Sequence, residues 1–138
     1  DPLPVAIYFE YDPGFDRAEE ITLFEKLVKE RATDIRARMH LADLLRFGGD
    51  ANERVKVLEQ ALTLTKKHAK KQMLEGRNDI LAAAHVGLVI ALDTAGKADR
   101  ARKAARKAAT ELKKLDSKGE NQRNLLAAQW LSAYANSK

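Results

Sequence analysis

The chain has 138 residues, 45% of them hydrophobic and 33% charged, with a formal net charge of +5. That length holds one domain with a substantial core. The lack of cysteine excludes disulfides, zinc–thiolate sites and thiol nucleophiles, and no run of about 18 apolar residues is present to span a bilayer. The expected setting is a soluble protein of a bacterial cytoplasm or periplasm. A chain that starts at Asp1 rather than Met reads as a processed or trimmed product, with any targeting segment outside it.

Residues 1–15, DPLPVAIYFEYDPGF, form the first unit. Pro2 and Pro4 oppose a helix, Val5 to Tyr11 is mostly β-branched or aromatic, and Asp12-Pro13-Gly14 is a turn signal. An extended N-terminal arm is expected, carrying four of the eight aromatics of the chain (Tyr8, Phe9, Tyr11 and Phe15). Such an apolar arm must pack on its own domain or on a partner.

Helix is expected over nearly all of residues 16–136. A first helix, Asp16 to Arg31, sets Ile21, Phe24, Leu27 and Val28 on one stripe. Thr33 is the expected N-cap of a second helix, Asp34 to Phe47, striped by Ile35, Met39, Ala42 and Leu45. Gly48 and Gly49 are expected to end it through the left-handed conformation. Asp50 with Glu53 makes a capping-box pattern for a third helix bearing Val55, Leu58, Ala61, Leu62 and Thr65. Asn78 is the next expected cap, ahead of a helix from Ile80 to Ala95 that is apolar nearly all round and therefore central. Gly96 closes it. Ala98 to Leu115 follows, with Ala101, Ala104, Ala105, Ala108, Leu112 and Leu115 on one side and basic residues on the other. Ser117 and Glu120 suggest a second capping box before a last helix, Glu120 to Ala135, which carries Leu126, Trp130 and Tyr134 at a spacing of four.

The stretch LADLLRFGGDANERVKVLEQALTL, residues 41–64, resembles the tetratricopeptide repeat (TPR), whose unit is two antiparallel helices in roughly 34 residues. Leu41, Ala42 and Leu45 match its first-helix pattern, Gly49 and Asp50 its turn, and Leu58 and Ala61 its second helix. Arg54, where a small residue belongs, and Lys66, where a proline belongs, depart from it. Leu88, Val89, Leu92, Gly96, Ala101, Ala105 and Ala108 repeat the pattern. The resemblance implies an all-α fold: a short antiparallel helix-hairpin solenoid, TPR-like, of about two repeats plus flanking helices, with the extended arm before it. Gly49 and Gly96 lie 47 residues apart, 13 more than the family period of roughly 34. A third helix running to about Glu75 would absorb the difference as a projecting hairpin, roughly 25 residues and about 37 Å long. The alternative is a break near His68 followed by a loop.

No enzymatic constellation is present, so the reading is of a non-enzyme that needs no cofactor. His40, His68 and His85 stand in no recognisable metal or catalytic motif. His40 and His85 could approach each other in stacked repeats, but core or groove histidines are the plainer reading. The family resemblance implies a concave groove lined by the first helix of each pair. Arg36, Met39, Asp43 and Arg46 would line it on one side, and Ala83, Val86, Gly87 and Ile90 on the other. Met39 and Asp43 stand where carboxylate-clamping members carry Lys and Asn, so that clamp is missing. The expected function is therefore a protein–protein interaction scaffold that binds a partner peptide or helix in the groove, with a homodimer through the arm or the apolar ends as a further option. The groove could equally be filled by the chain's own arm or last helix. The alternative function is nucleic-acid or anionic-membrane binding through Arg102, Lys103, Arg106 and Lys107 on the fifth helix and Lys66, Lys67, Lys70 and Lys71 at the hairpin tip. Against it stands the plain reading of a solvated outer face without interleaved aromatics.

Overall fold

The computed structural model describes residues 16–47, 49–68 and 77–137. The arm, residues 1–15, and the hairpin tip with Lys70 and Lys71 lie outside the described residues, so neither expectation is addressed. The described residues form six helices and no strand: α1 (Arg17–Glu30), α2 (Ile35–Leu45), α3 (Ala51–His68), α4 (Arg77–Thr94), α5 (Ala98–Leu115) and α6 (Gln122–Ala135). Among them no helix is long and apolar enough to cross a membrane.

Each helix packs on the next, and α4 also packs on α6. Successive pairs α1–α2, α2–α3, α4–α5 and α5–α6 run antiparallel. Arg38 hydrogen-bonds Gln60 while Arg54 bonds the Ala42 carbonyl, for example, so positions rise on α2 as they fall on α3. Helices two apart run parallel instead. Arg100 and Lys66 on α5 and α3 reach Glu59 and Glu111 at separations of 41 and 45 residues. On α4 and α6, Tyr134 bonds Asp93 across 41 residues. The same offset of 41–45 residues thus recurs on both layers.

The core follows the 3.6-residue stripes. Phe24, Ile35, Leu41, Leu58, Leu81, Leu92, Leu112 and Leu131 are all but sealed from solvent, each contributing about 1.5–3 kcal/mol by burial. As its all-round apolar sequence implies, α4 is central, packing on α3, α5 and α6. Alanines face it from α5: Ala101, Ala105, Ala108 and Ala109 are buried, and their small size lets the helices approach. Leu115, expected on that buried side, is exposed, because it stands on the last turn of α5.

Several local expectations are corrected. The cap of α2 is Asp34, not Thr33: its carboxylate accepts from the Ala37 amide at 3.0 Å, a stronger acceptor at the helix's positive end. Asp50 accepts from Asn52 at 2.9 Å, but Glu53 turns to Glu25 on α1 instead of closing a capping box. Gly49 does not adopt the left-handed conformation; it is small because an added Cβ would collide with the Leu45 side chain. Gly96 does adopt it, with φ +77°. There the Lys97 amide bonds Leu92 O at 2.9 Å and the Gly96 amide bonds Asp93 O at 3.0 Å, a Schellman closure. Helix α4 is already under way at Arg77, so Asn78 is not its cap. Before α6, Asp116 takes the amides of Glu120 and Asn121, and Asn121 caps the helix through the Asn124 amide. The box of Ser117 and Glu120 is not used, because Glu120 still precedes the helix.

Two corrections reach across elements. On α6 the packed stripe is Asn124, Ala128, Leu131 and Ala135, so Leu126 and Trp130 face outward. Arg54, the departure from the repeat pattern, has a role: its Nε donates to Ala42 O at 3.2 Å, tying α3 to α2.

Candidate functional site

Between α2 and α4, with α1 as floor and α6 at one side, lies a cavity of about 380 Å³. Helical spacing places Arg36, Ala37, Met39, His40 and Asp43 of α2 along it, and Asp79, Ile80 and Ala83 of α4 opposite; Phe24 and Arg123 complete it. Its lining is mostly apolar, with two acids and two arginines around it. Asp79 and Arg123 approach to 3.8 Å. The His40 ring tilts against Phe24, centroids 4.5 Å apart, and its Nε2 is buried without a partner.

Of the residues expected to form a groove, Arg36, Met39, Asp43 and Ala83 therefore converge here. Arg46, Val86 and Ile90 do not, because the cavity runs over residues 36–43 of α2 and only the N-terminal half of α4. Arg46 instead lies over the Phe47 ring at 5.0 Å, and Val86 packs against the core. Gly87 faces α3: a Cβ there would meet Leu58 Cδ1 at 3.3 Å. Phe24, Asp79 and Arg123 could not be assigned from sequence, since each comes from a helix or helix end whose approach depends on the packing of the whole chain.

His40 and His85, expected to approach each other, face different neighbours. His85 lies in a cleft of about 260 Å³ between α3, α4 and α5. Its Nε2 is 3.3 Å from the Glu111 carboxylate, which Lys66 also reaches at 3.0 Å. Burial holds the His85 imidazole below its usual value; Glu111 opposes that shift, while Lys66 and Lys107 reinforce it. Burial resists ionisation of Glu111, but the hydrogen bond and charge of Lys66, with His85 and Lys107, bring its carboxyl below the ordinary range.

A third cleft, about 670 Å³, separates α1 from α3 below α2. Here Glu53 is pushed up to about 7, first by its hydrogen bond with the Glu25 carboxyl, then by burial and the charges of Glu25 and Asp50, against the pull of Lys56.

The basic face of α5 is partly engaged within the fold. Arg102 pairs with Asp99, and Arg106 donates to the Ala135 carbonyl at 3.4 Å. Lys103 and Lys107 are exposed. Of the tip lysines, Lys66 is tied to Glu111 and Lys67 is exposed. Among the described residues no group of three or more His, Asp or Glu could hold a metal ion. No family model, curated protein or solved structure matches the chain.

Proposed function

We propose that the chain is a protein-interaction module: a short helical-repeat scaffold of the tetratricopeptide type that takes a partner segment along α2 and α4. The cavity between these helices carries this reading. Its volume of about 380 Å³ falls within the range of about 300–1,000 Å³ typical of ligand clefts. The apolar lining from Phe24, Ala37, Met39, Ile80 and Ala83 suits one inserted apolar side chain. Arg36, Asp43, Asp79 and Arg123 around it suit a backbone or polar flanks of either sign. The offset of 41–45 residues between parallel helices two apart supports stacked hairpins but exceeds the tetratricopeptide period of roughly 34 residues, so the repeat would be a lengthened one.

A displayed library of random peptides, selected on the protein and on an Ala83→Glu variant, tests this. Ala83 is exposed, so the substitution leaves the fold and places a charge in the cavity. Peptides with a recurring large apolar residue should be enriched on the parent and lost on the variant. Equal enrichment on both would sink the groove reading. The alternative, a nucleic-acid or anionic-membrane surface on α5, predicts binding that falls steeply with salt and is lost in a Lys103→Glu/Lys107→Glu double variant.

A further inference from the structure

We infer that the Glu111 carboxylate is a proton-controlled clasp: it holds Lys66 of α3 while His85 is neutral, and passes to His85 when that imidazole takes up a proton, releasing the end of α3 from α5. Three consecutive helices each send one of these groups into the cleft between α3, α4 and α5. Both contacts end on a single oxygen, Oε2 of Glu111, with Lys66 Nζ at 3.0 Å and His85 Nε2 at 3.3 Å. A carboxylate oxygen only accepts, so Nε2 carries the hydrogen and an added proton goes to Nδ1. The Nε2–H bond then becomes charge-assisted, shorter and roughly twice as strong.

The charges around His85 decide which partner leaves. Helix α4 packs on α3, α5 and α6. The charged groups that face His85 are Lys66 from α3, and Glu111 and Lys107 from α5. Glu59 of α3 also lines the cleft, but it is paired with Arg100 at 3.1 Å. Helix α6 sends no charge there, since its Arg123 lies toward Asp79. With His85 neutral, two ammonium groups face one carboxylate. Protonation makes three cations, and their repulsion drives one away. His85 is only 7% exposed and is fixed by its packing, and Lys107 is already exposed. The Lys66 side chain is 48% exposed and swings on a flexible four-carbon stem. Lys66 is therefore the group that goes.

The consequence is local. Lys66 stands on the last turn of α3, which ends at His68. With the Arg100–Glu59 pair, it bridges two helices that are not neighbours in sequence. Burial keeps the imidazole below its usual 6.5, and the surrounding cations keep the Glu111 carboxyl below its ordinary range and so ionised throughout. The clasp is thus closed at neutral pH and opens as pH falls below that usual imidazole value.

Two readouts on the intact chain test this. The first is the imidazole resonance of His85, followed from about pH 8 to about pH 5. Linkage requires that whatever His85 does to Lys66, Lys66 does to His85. Lys66→Met, a change at a half-exposed position that spares the fold, should therefore move the titration midpoint upward, and Glu111→Gln should move it downward. The second is amide exchange over residues 63–68, corrected for its intrinsic pH dependence and taken relative to α5 so that global opening cancels. Relative protection in the parent should fall about two- to five-fold between about pH 7.5 and about pH 5.5, the worth of one surface ion pair. In Lys66→Met it should not change with pH. Four results would overturn the inference: a His85 that stays neutral across the range; a midpoint unmoved in Lys66→Met; a relative protection in the parent that is flat with pH; or a fall as large in Lys66→Met as in the parent, which would make it a general effect of acid.

Discussion

Helices α5 and α6 lie side by side and close the same end of the core, yet they meet water in opposite ways. Helix α5 carries seven basic residues and two acidic ones, nearly all on its outer side, and buries alanines. Helix α6 carries one charge, buries Ala128, Leu131 and Ala135, and turns Leu125, Leu126 and Trp130 outward. Both are amply stabilised on the inside. The difference shows that inner packing and outer chemistry are set independently along a helix: the first by which side chains fit the neighbour, the second by what the remaining side is to meet.

The contrast can be broken from the inside first. Leu131 is fully buried on α6, and Leu131→Ala should cost about 2–5 kcal/mol by transfer and cavity terms, read as a drop in urea midpoint at constant slope. On α5 the error that matters is the reverse. Ala105 is fully buried, so Ala105→Leu should overpack the contact with α4 and cost about 1–3 kcal/mol. If Ala105→Leu is neutral in the same titration, α5 does not pack closely and the comparison fails.

Acid sharpens the comparison between the inner sides. Burial keeps His85 below its ordinary value of 6.5, so the unfolded chain binds that proton more readily than the folded one. The contribution is therefore complete above pH 6.5 and is lost as pH falls below it. Glu53 behaves oppositely. Its folded value of about 7 exceeds its ordinary 4.5, so its contribution is present at low pH and is lost as pH rises through about 7. Melting curves should show a His85→Gln variant losing less stability than the parent between pH 6.5 and 5. A Glu53→Gln variant should lose less than the parent between pH 5 and 8. Parallel curves for parent and variant would contradict the assigned environments.

The smallest effect belongs to the outer charges. Arg100 and Glu59 meet at 3.1 Å with about half of each side chain exposed, and Arg100→Ala should change stability by no more than about 1 kcal/mol. A larger loss in thermal denaturation would mean that ion pairs, and not burial alone, hold α3 and α5 side by side.

Much of this architecture was legible in the residues. The stripe Val55–Leu58–Leu62 is buried as its spacing marks, and that of α1 buries Phe24 with Ile21, Leu27 and Val28 half-buried beside it, because a helix places residues three and four apart on one side whatever surrounds it. The closure at Gly96 was legible for the same local reason. Caps were less so. The caps expected at Thr33 and Ser117 fall instead at Asp34 and Asn121, and the choice rests on where the chain bends as it enters the next contact.

The site was half legible. Arg36, Met39 and Asp43 share a helical face, so their convergence is a matter of periodicity, and Ala83 follows from the matching position on α4. Phe24 and Arg123 join them only because α1 and α6 fold over from either side. What the sequence by itself determined is the all-helical class, the helix stripes and the central place of α4, since these depend on spacing and composition within single segments. What only the tertiary structure decided is which of two apolar stripes on α6 packs inward, which histidine meets which neighbour, and how far the cavity runs. Each of those depends on relative positions of side chains on different helices, where the best fit among whole helices, not any local preference, fixes the outcome.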